Sequence, residues 1–240
     1  MFQAYIKKHY LKSVCLLILS SFLYPVLGTL TEQLPPTHNR IWVTPEEGKQ
    51  YQKVSAKVLL SKEVQALIAK DPGKIQVIEF FSYACFWCQR LHPVINEWLK
   101  IKPSSVVFYR FPLIFNKNWE PLAKAYFINK ALGKSDALDE AFFYAIHQNR
   151  KDLSDDKILR QFYVENGVSE NQYSDLLNSF SINQEVKFAH DISNAYQITA
   201  SPVIIINAPS GSYIFTAAMA GSESAFKEVL DYLVNKQLKK

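Results

Sequence analysis

Cys85 and Cys88 stand in the run FFSYACFWCQR (Phe80–Arg90), separated only by Phe86 and Trp87. Two sulfurs this close can hold a metal, staple a loop or exchange electrons. A structural zinc site wants four donors, and here only His92 lies nearby, with no second CxxC in the chain. A bridge that closes two intervening residues removes little loop entropy, so stabilisation is a poor reason to have one. The thiolate is the reactive form of cysteine, and a CxxC at a helix start favours it, because unpaired amide N–H groups and the positive dipole end lie there. Exchange is the favoured reading: Cys85 would carry the reactive sulfur, and Cys88, one turn on and more buried, would resolve a mixed disulfide.

That chemistry needs a strand before the pair and a helix after it, and both patterns are present. Lys74–Phe81 (KIQVIEFF) is a β-rich run behind the Asp71-Pro72-Gly73 turn, which predicts a buried strand. Leu91, Ile95, Trp98 and Leu99 recur at helical steps beyond Cys85, with Pro93 inside the helix and expected to kink it. Upstream, Lys49–Val54 reads as a short strand, and Ser61 caps a helix bearing Val64, Leu67 and Ile68. Ser105–Leu113 is the next strand. From Trp119 to Ile198 the pattern is helical in five segments. One stops at Gly133, one starts at Ser135, and one opens at Ser154-Asp155-Asp156 and closes at Gly167. Ser169-x-x-Gln172 and Ser181-x-x-Gln184 look like capping boxes for the remaining two. Ser201-Pro202 leads into a buried strand over 203–207, Pro209-Ser210-Gly211 turns into a strand over 213–216, and Gly221 precedes a closing helix with Phe226, Val229, Leu230 and Leu233 on one face.

A chain of 240 residues with 48% hydrophobic and 14% aromatic content is a folded globule with room for one large domain or a domain plus an insertion. Its first residues read differently. Lys7, Lys8 and Lys12 precede the apolar stretch Ser13–Gly28, and no acid occurs before Glu32, which describes a cleavable secretory signal peptide. The competing reading, an uncleaved anchor, is weakened because the apolar run is broken by Ser20, Ser21 and Pro25 and is short for a span of about 20 residues. Loss of residues 1–28 removes three lysines and no acid, so the net charge falls from +5 to +2 and no basic surface for nucleic acid remains. Cys15 leaves with it, and Cys85 and Cys88 become the only cysteines, too few for a disulfide-stapled scaffold.

With these features in view, the chain resembles the DsbA-type thiol:disulfide oxidoreductases of bacterial periplasms. The resemblance rests on Glu79 to Cys88 (EFFSYACFWC), a helix after it, a helical insertion, and Ser-Pro before a strand, and it runs from about Gly48 to the closing helix. It implies an α/β protein with a thioredoxin fold and an inserted all-helical subdomain. The expected organisation is a signal peptide over 1–28, an extension over 29–48, a first thioredoxin part over 49–117, an insertion over 118–198 and a second thioredoxin part over 199–240. It also implies that Cys85 reacts with substrates while Cys88 resolves, that Pro202 is cis and faces the dithiol, and that the backbone of Ser201 pairs with bound peptide.

Further positions follow. Glu79 lies where this fold usually buries an acid beneath the dithiol; among apolar neighbours it is expected to have a raised pKa and to carry protons for Cys88. The alternative is a rim carboxylate satisfied by Lys74 or water. Tyr83, Phe86 and Trp87 are expected to form an apolar rim for unfolded substrates, with ordinary core residues as the alternative for Tyr83 and Phe86. His38, His147 and His190 have no partner pattern and read as structural, as do Trp119 and the aromatics of 141–145. The sequence departs from the best-known relatives in carrying Phe-Trp where they have Pro-His, which withdraws one thiolate-stabilising charge. The expected potential therefore lies between about −120 mV for DsbA and about −270 mV for thioredoxin. Ser201, where Val or Thr is commoner, adds a second departure. The partners implied are reduced or misfolded exported proteins and a membrane quinone-linked oxidase of the DsbB type, with no cofactor or metal and a monomer favoured over a dimer. An isomerase or reductase kept reduced by a membrane donor is the alternative enzyme. A binding module or chaperone is the non-enzymatic one.

Overall fold

The computed structural model describes residues 44–239. The expected signal peptide, with Cys15, and the lead-in as far as residue 43, with His38, lie outside the described residues. The first elements are strand β1 (Gln52–Lys53), helices α1 (Ala56–Leu59) and α2 (Lys62–Ile68), and strand β2 (Ile75–Phe81). Then come α3 (Phe86–Ile101), β3 (Val106–Pro112) and a 3-10 turn over Lys117–Trp119. Five helices follow: α4 (Glu120–Ala131), α5 (Ser135–His147), α6 (Asp156–Glu165), α7 (Glu170–Leu177) and α8 (Phe180–Ala195). The chain closes with β4 (Val203–Ala208), β5 (Gly211–Thr216), α9 (Ala217–Ala220) and α10 (Glu223–Leu238).

One mixed sheet in the order β1-β5-β4-β2-β3 organises these elements. β2 runs parallel to β3 and antiparallel to β4, so it is the interior strand between the two halves of the chain. All seven of its residues are buried, as expected for a strand covered on both faces. Alternate side chains point to opposite faces. Val77 packs with Leu91, Ile95 and Trp98 of α3 and Phe226 and Leu233 of α10, whereas Ile78 and Phe80 pack in the core shared with the five-helix insertion. The two cores are joined by the sheet, and the described residues belong to one compact unit.

The caps follow ordinary chemistry, with one correction to the sequence reading, at α8. Ser61 caps α2, and Ser169 with Gln172 forms a complete capping box on α7. At α6 the cap is Asp155, from the Ser154-Asp155-Asp156 opening, and its carboxylate accepts from the amide of Ile158. At α8 the cap is Ser179, whose Oγ accepts from the amide of Ile182; Ser181 sits inside the helix and forms no capping box. Two serines two residues apart compete for one role, and the winner is the one that lets Phe180 begin the helix. Gly221 adopts φ 84°, the left-handed turn that ends α9 and admits the start of α10.

Candidate active site

β2 ends at Phe81, and the three residues that follow make a tight turn. The Cys85 amide donates to Ser82 O at 3.1 Å, and the Ala84 amide to Ser82 Oγ at 3.2 Å. Cys85 is the N-cap of α3, with extended backbone (φ −86°, ψ 120°), and its Sγ accepts from the Cys88 amide at 3.4 Å. A sulfur thus occupies the position that oxygen-bearing side chains usually take to satisfy free amides at a helix start. Cys85 is half-buried and Cys88 is buried, and both are free thiols in this structure.

The loop before β4 comes across the chain to meet them. The Ser201–Pro202 peptide bond is cis. The Cys85 thiol donates to Ser201 O at 3.4 Å, and Cys88 Sγ lies 3.1 Å from Ser201 Oγ. The resemblance has Pro202 facing the dithiol and the Ser201 backbone pairing with bound peptide; the contact of the Ser201 hydroxyl with the deeper sulfur is not part of that expectation.

These contacts split the two thiols. A hydrogen bond from the Cys88 side chain is the largest cause drawing Cys85 down, from about 9 to about 6, against the opposing effect of its partial burial. The amides of Cys88 and Trp87 and the Ser201 hydroxyl act in the same direction. Burial pushes Cys88 well up, reinforced by its hydrogen bond and charge interaction with Cys85 and by the nearby negative charge of Glu79. One sulfur is poised as thiolate, and the other holds the proton.

Beneath the pair lies a buried polar group that only the folded chain assembles. Glu79 and Arg110 are register partners on the parallel strands β2 and β3. Arg110 Nε donates to Glu79 Oε2 at 2.5 Å, with both side chains nearly sealed from water. Lys74, the partner in the alternative reading of Glu79 as a rim carboxylate, reaches Ser104 O instead. Arg110 also lies 3.9 Å from Asp139 on α5, and its guanidinium packs over the rings of Phe81 and Phe108. Neither Arg110 nor Asp139 was singled out from sequence. A lone cation in the apolar strand VVFYRFP was the available signal.

Tyr83 corrects the expected apolar rim. It is 1% exposed, it stacks on Phe142 at 4.7 Å, and its hydroxyl donates to Asp139. His147 Nε2 donates to the Tyr83 carbonyl at 2.8 Å. The insertion closes over this residue, so it belongs to the core. Phe86 and Trp87 are exposed, at 55% and 43%, with ring centroids 5.9 Å apart and the Arg90 guanidinium over Phe86. His92 is buried against Phe143 and accepts from Asn96 Nδ2 at 3.0 Å; burial first, then Arg110, lowers it to about 4, so it is a neutral imidazole. Phe142 and Phe143 are core, whereas Tyr144 is exposed.

A family model described as a DSBA-like thioredoxin domain matches residues 107–227. The thiol:disulfide interchange protein DsbA of Bordetella pertussis is 33% identical over 164 residues, covering 68% of this chain and 77% of that protein. The chain belongs to the DsbA-like thioredoxin family. The DsbA of Azotobacter vinelandii is 29% identical over 211 residues, covering 88% of this chain and 90% of that one. Among solved structures, the crystal structure of Pseudomonas aeruginosa DsbA superposes with a TM-score of 0.70 at 29% identity, over 81% of this chain and 95% of that one. The fold is the DsbA-type thioredoxin fold with its helical insertion, and the activity is that of a thiol:disulfide oxidoreductase acting on protein substrates.

Proposed function

We propose that this DsbA-family oxidoreductase is a periplasmic oxidase that donates a Cys85–Cys88 disulfide to newly exported proteins. The observation that carries the assignment of the residues is the pairing at the helix start: Cys85 Sγ takes the Cys88 amide and is half-exposed, whereas Cys88 is sealed behind it. A substrate thiolate attacks Cys85 Sγ, the Cys85–Cys88 bond breaks, and Cys88 leaves with the electron pair and takes up a proton. The second substrate thiolate then attacks the substrate sulfur of the mixed disulfide, and Cys85 leaves as a thiolate. Two electrons pass to the enzyme, and the substrate gains one disulfide. A low pKa at Cys85 makes it the better leaving group in that last step.

In this reading the cis-Pro loop presents the Ser201 backbone to the substrate strand, and Phe86 and Trp87 supply apolar area for unfolded chains. Glu79, clamped by Arg110, acts as a fixed negative charge under Cys88; the ion pair argues against the free proton carrier expected from sequence. Residues 1–28 direct export and are removed, and a membrane quinone-linked oxidase of the DsbB type restores the disulfide. Among the described residues, no helix is long and apolar enough to cross a membrane.

Trapping the cellular redox state with an alkylating agent tests the direction. Mostly disulfide supports the oxidase, and mostly dithiol gives the isomerase reading its place. Cys88→Ser is expected to accumulate mixed disulfides through Cys85, whereas a Cys85→Ser variant with full biological activity would favour a non-enzymatic binding protein.

A further inference from the structure

We infer that Asp139, on helix α5 of the insertion, is a positioning residue for the dithiol: it competes with Glu79 for the Arg110 guanidinium and so helps set how oxidising the Cys85–Cys88 pair is. The inference rests on Cys85 and Cys88 being the reacting pair.

Three groups on three elements carry it. Arg110 rises from β3, Glu79 from β2 and Asp139 from α5. One cation faces two carboxylates, Glu79 Oε2 at 2.5 Å and Asp139 Oδ2 at 3.9 Å, and all three side chains are at most 10% exposed. With both carboxylates ionised, the triad carries a net single negative charge in a site where water screens little, and the same burial pushes Asp139 up. Arg110 Nη2 is buried without a hydrogen-bond partner among the described residues, so two carboxylates do not saturate this guanidinium. Phe81 and Phe108 hold it in place.

Asp139 is itself fixed from the far side. The Tyr83 hydroxyl donates to its Oδ1, Asn129 Nδ2 donates to the same oxygen at 3.1 Å, and Tyr163 donates to Asn129 Oδ1 at 2.8 Å. This chain of hydrogen bonds runs from α6 through α4 to α5 and ends at the carboxylate that faces Arg110. The other titratable groups acting on the triad are Tyr126 and Tyr83, which burial keeps protonated, His92, which is neutral, and Asp136, whose negative charge adds to that of Asp139. None of these compensates the extra negative charge.

The consequence has a definite sign. Negative charge under the pair disfavours the thiolate and hence the reduced form. Removing the Asp139 charge leaves Arg110 to Glu79 alone, makes the pair neutral, and stabilises the thiolate. The variant should be more oxidising than the parent.

Equilibration of the full chain with glutathione buffers reads this directly. Asp139→Asn keeps an acceptor for Tyr83 and loses the charge; its equilibrium constant should shift toward oxidation of glutathione by about threefold or more, the size of one unit charge at partial screening. Tyr163→Phe removes a hydrogen bond from the same chain without changing charge, and should lose stability while its equilibrium constant stays at the parent value. Asp139→Ser carries the same test if the amide variant does not fold. An unshifted constant in the charge-removing variant, or an equal shift in Tyr163→Phe, overturns the inference. Failure of the parent to equilibrate as a Cys85–Cys88 couple would overturn the reading of the site itself, a separate result.

Discussion

Cysteine at an N-cap does electrostatically what serine or aspartate does there, but its effect is read as reactivity. The Cys85 thiol, drawn to about 6, is stabilised as an anion only in the folded reduced protein. Because the folded pKa is lowered, this contribution to stability is full above the unfolded value, about 8.5, and is lost as the pH falls through about 6. The oxidised protein has no such group. Cys88, which burial pushes up, acts with the opposite sign only as the pH rises through about 8.5, so the stability of the reduced form relative to the oxidised form should fall on acidification from pH 8 to pH 5, as measured by denaturant unfolding of both forms. His92 is buried in the same fold of both forms, so its titration largely cancels in that difference. The cysteines were legible in sequence because their roles depend on spacing and on a helix start, both local. Tyr83 was not legible: two residues before Cys85 it could face out or in, and only the packing of α5 against it decides.

Among the elements, α3 carries most of the site, and its first turn differs from the best-known relatives in residues that add bulk without charge. Replacing Phe86-Trp87 by Pro-His should raise the potential toward about −120 mV, read by glutathione equilibration. Replacing both aromatics by serine should slow oxidation of an unfolded reduced protein several-fold while leaving exchange with glutathione, which needs no apolar surface, nearly unchanged. Strand and helix order were readable because each element's periodicity is local. The pairing of Glu79 with Arg110 was not, since register between β2 and β3 is set by a crossover helix and by packing. The cap at α8 shows the same limit on a smaller scale: Ser179 and Ser181 are chemically equivalent, and only the helix start in the folded chain, with Ser179 Oγ accepting from the Ile182 amide, separates them. Ser169→Ala, which breaks a complete capping box, should cost about 1 kcal/mol in chemical denaturation.

Across the molecule, the insertion and the sheet share one core. Phe81, Tyr83, Phe142, Phe143 and Phe162 run as contacting rings from the end of β2 into α5 and α6. Phe142→Ala should cost about 3–5 kcal/mol, and unfolding should remain a single transition by helical and aromatic signals alike, because no separate insertion core exists to melt alone. The account depends on one property of this shared structure: the Cys88 side chain, with the Ser201 hydroxyl and the amides at the helix start, holds the outer sulfur as an anion near neutral pH. Its most direct test is the pH dependence of Cys85 alkylation in the reduced protein. The account predicts a rate that rises through a midpoint near 6. A midpoint near 8.5, that of a free cysteine, would contradict it.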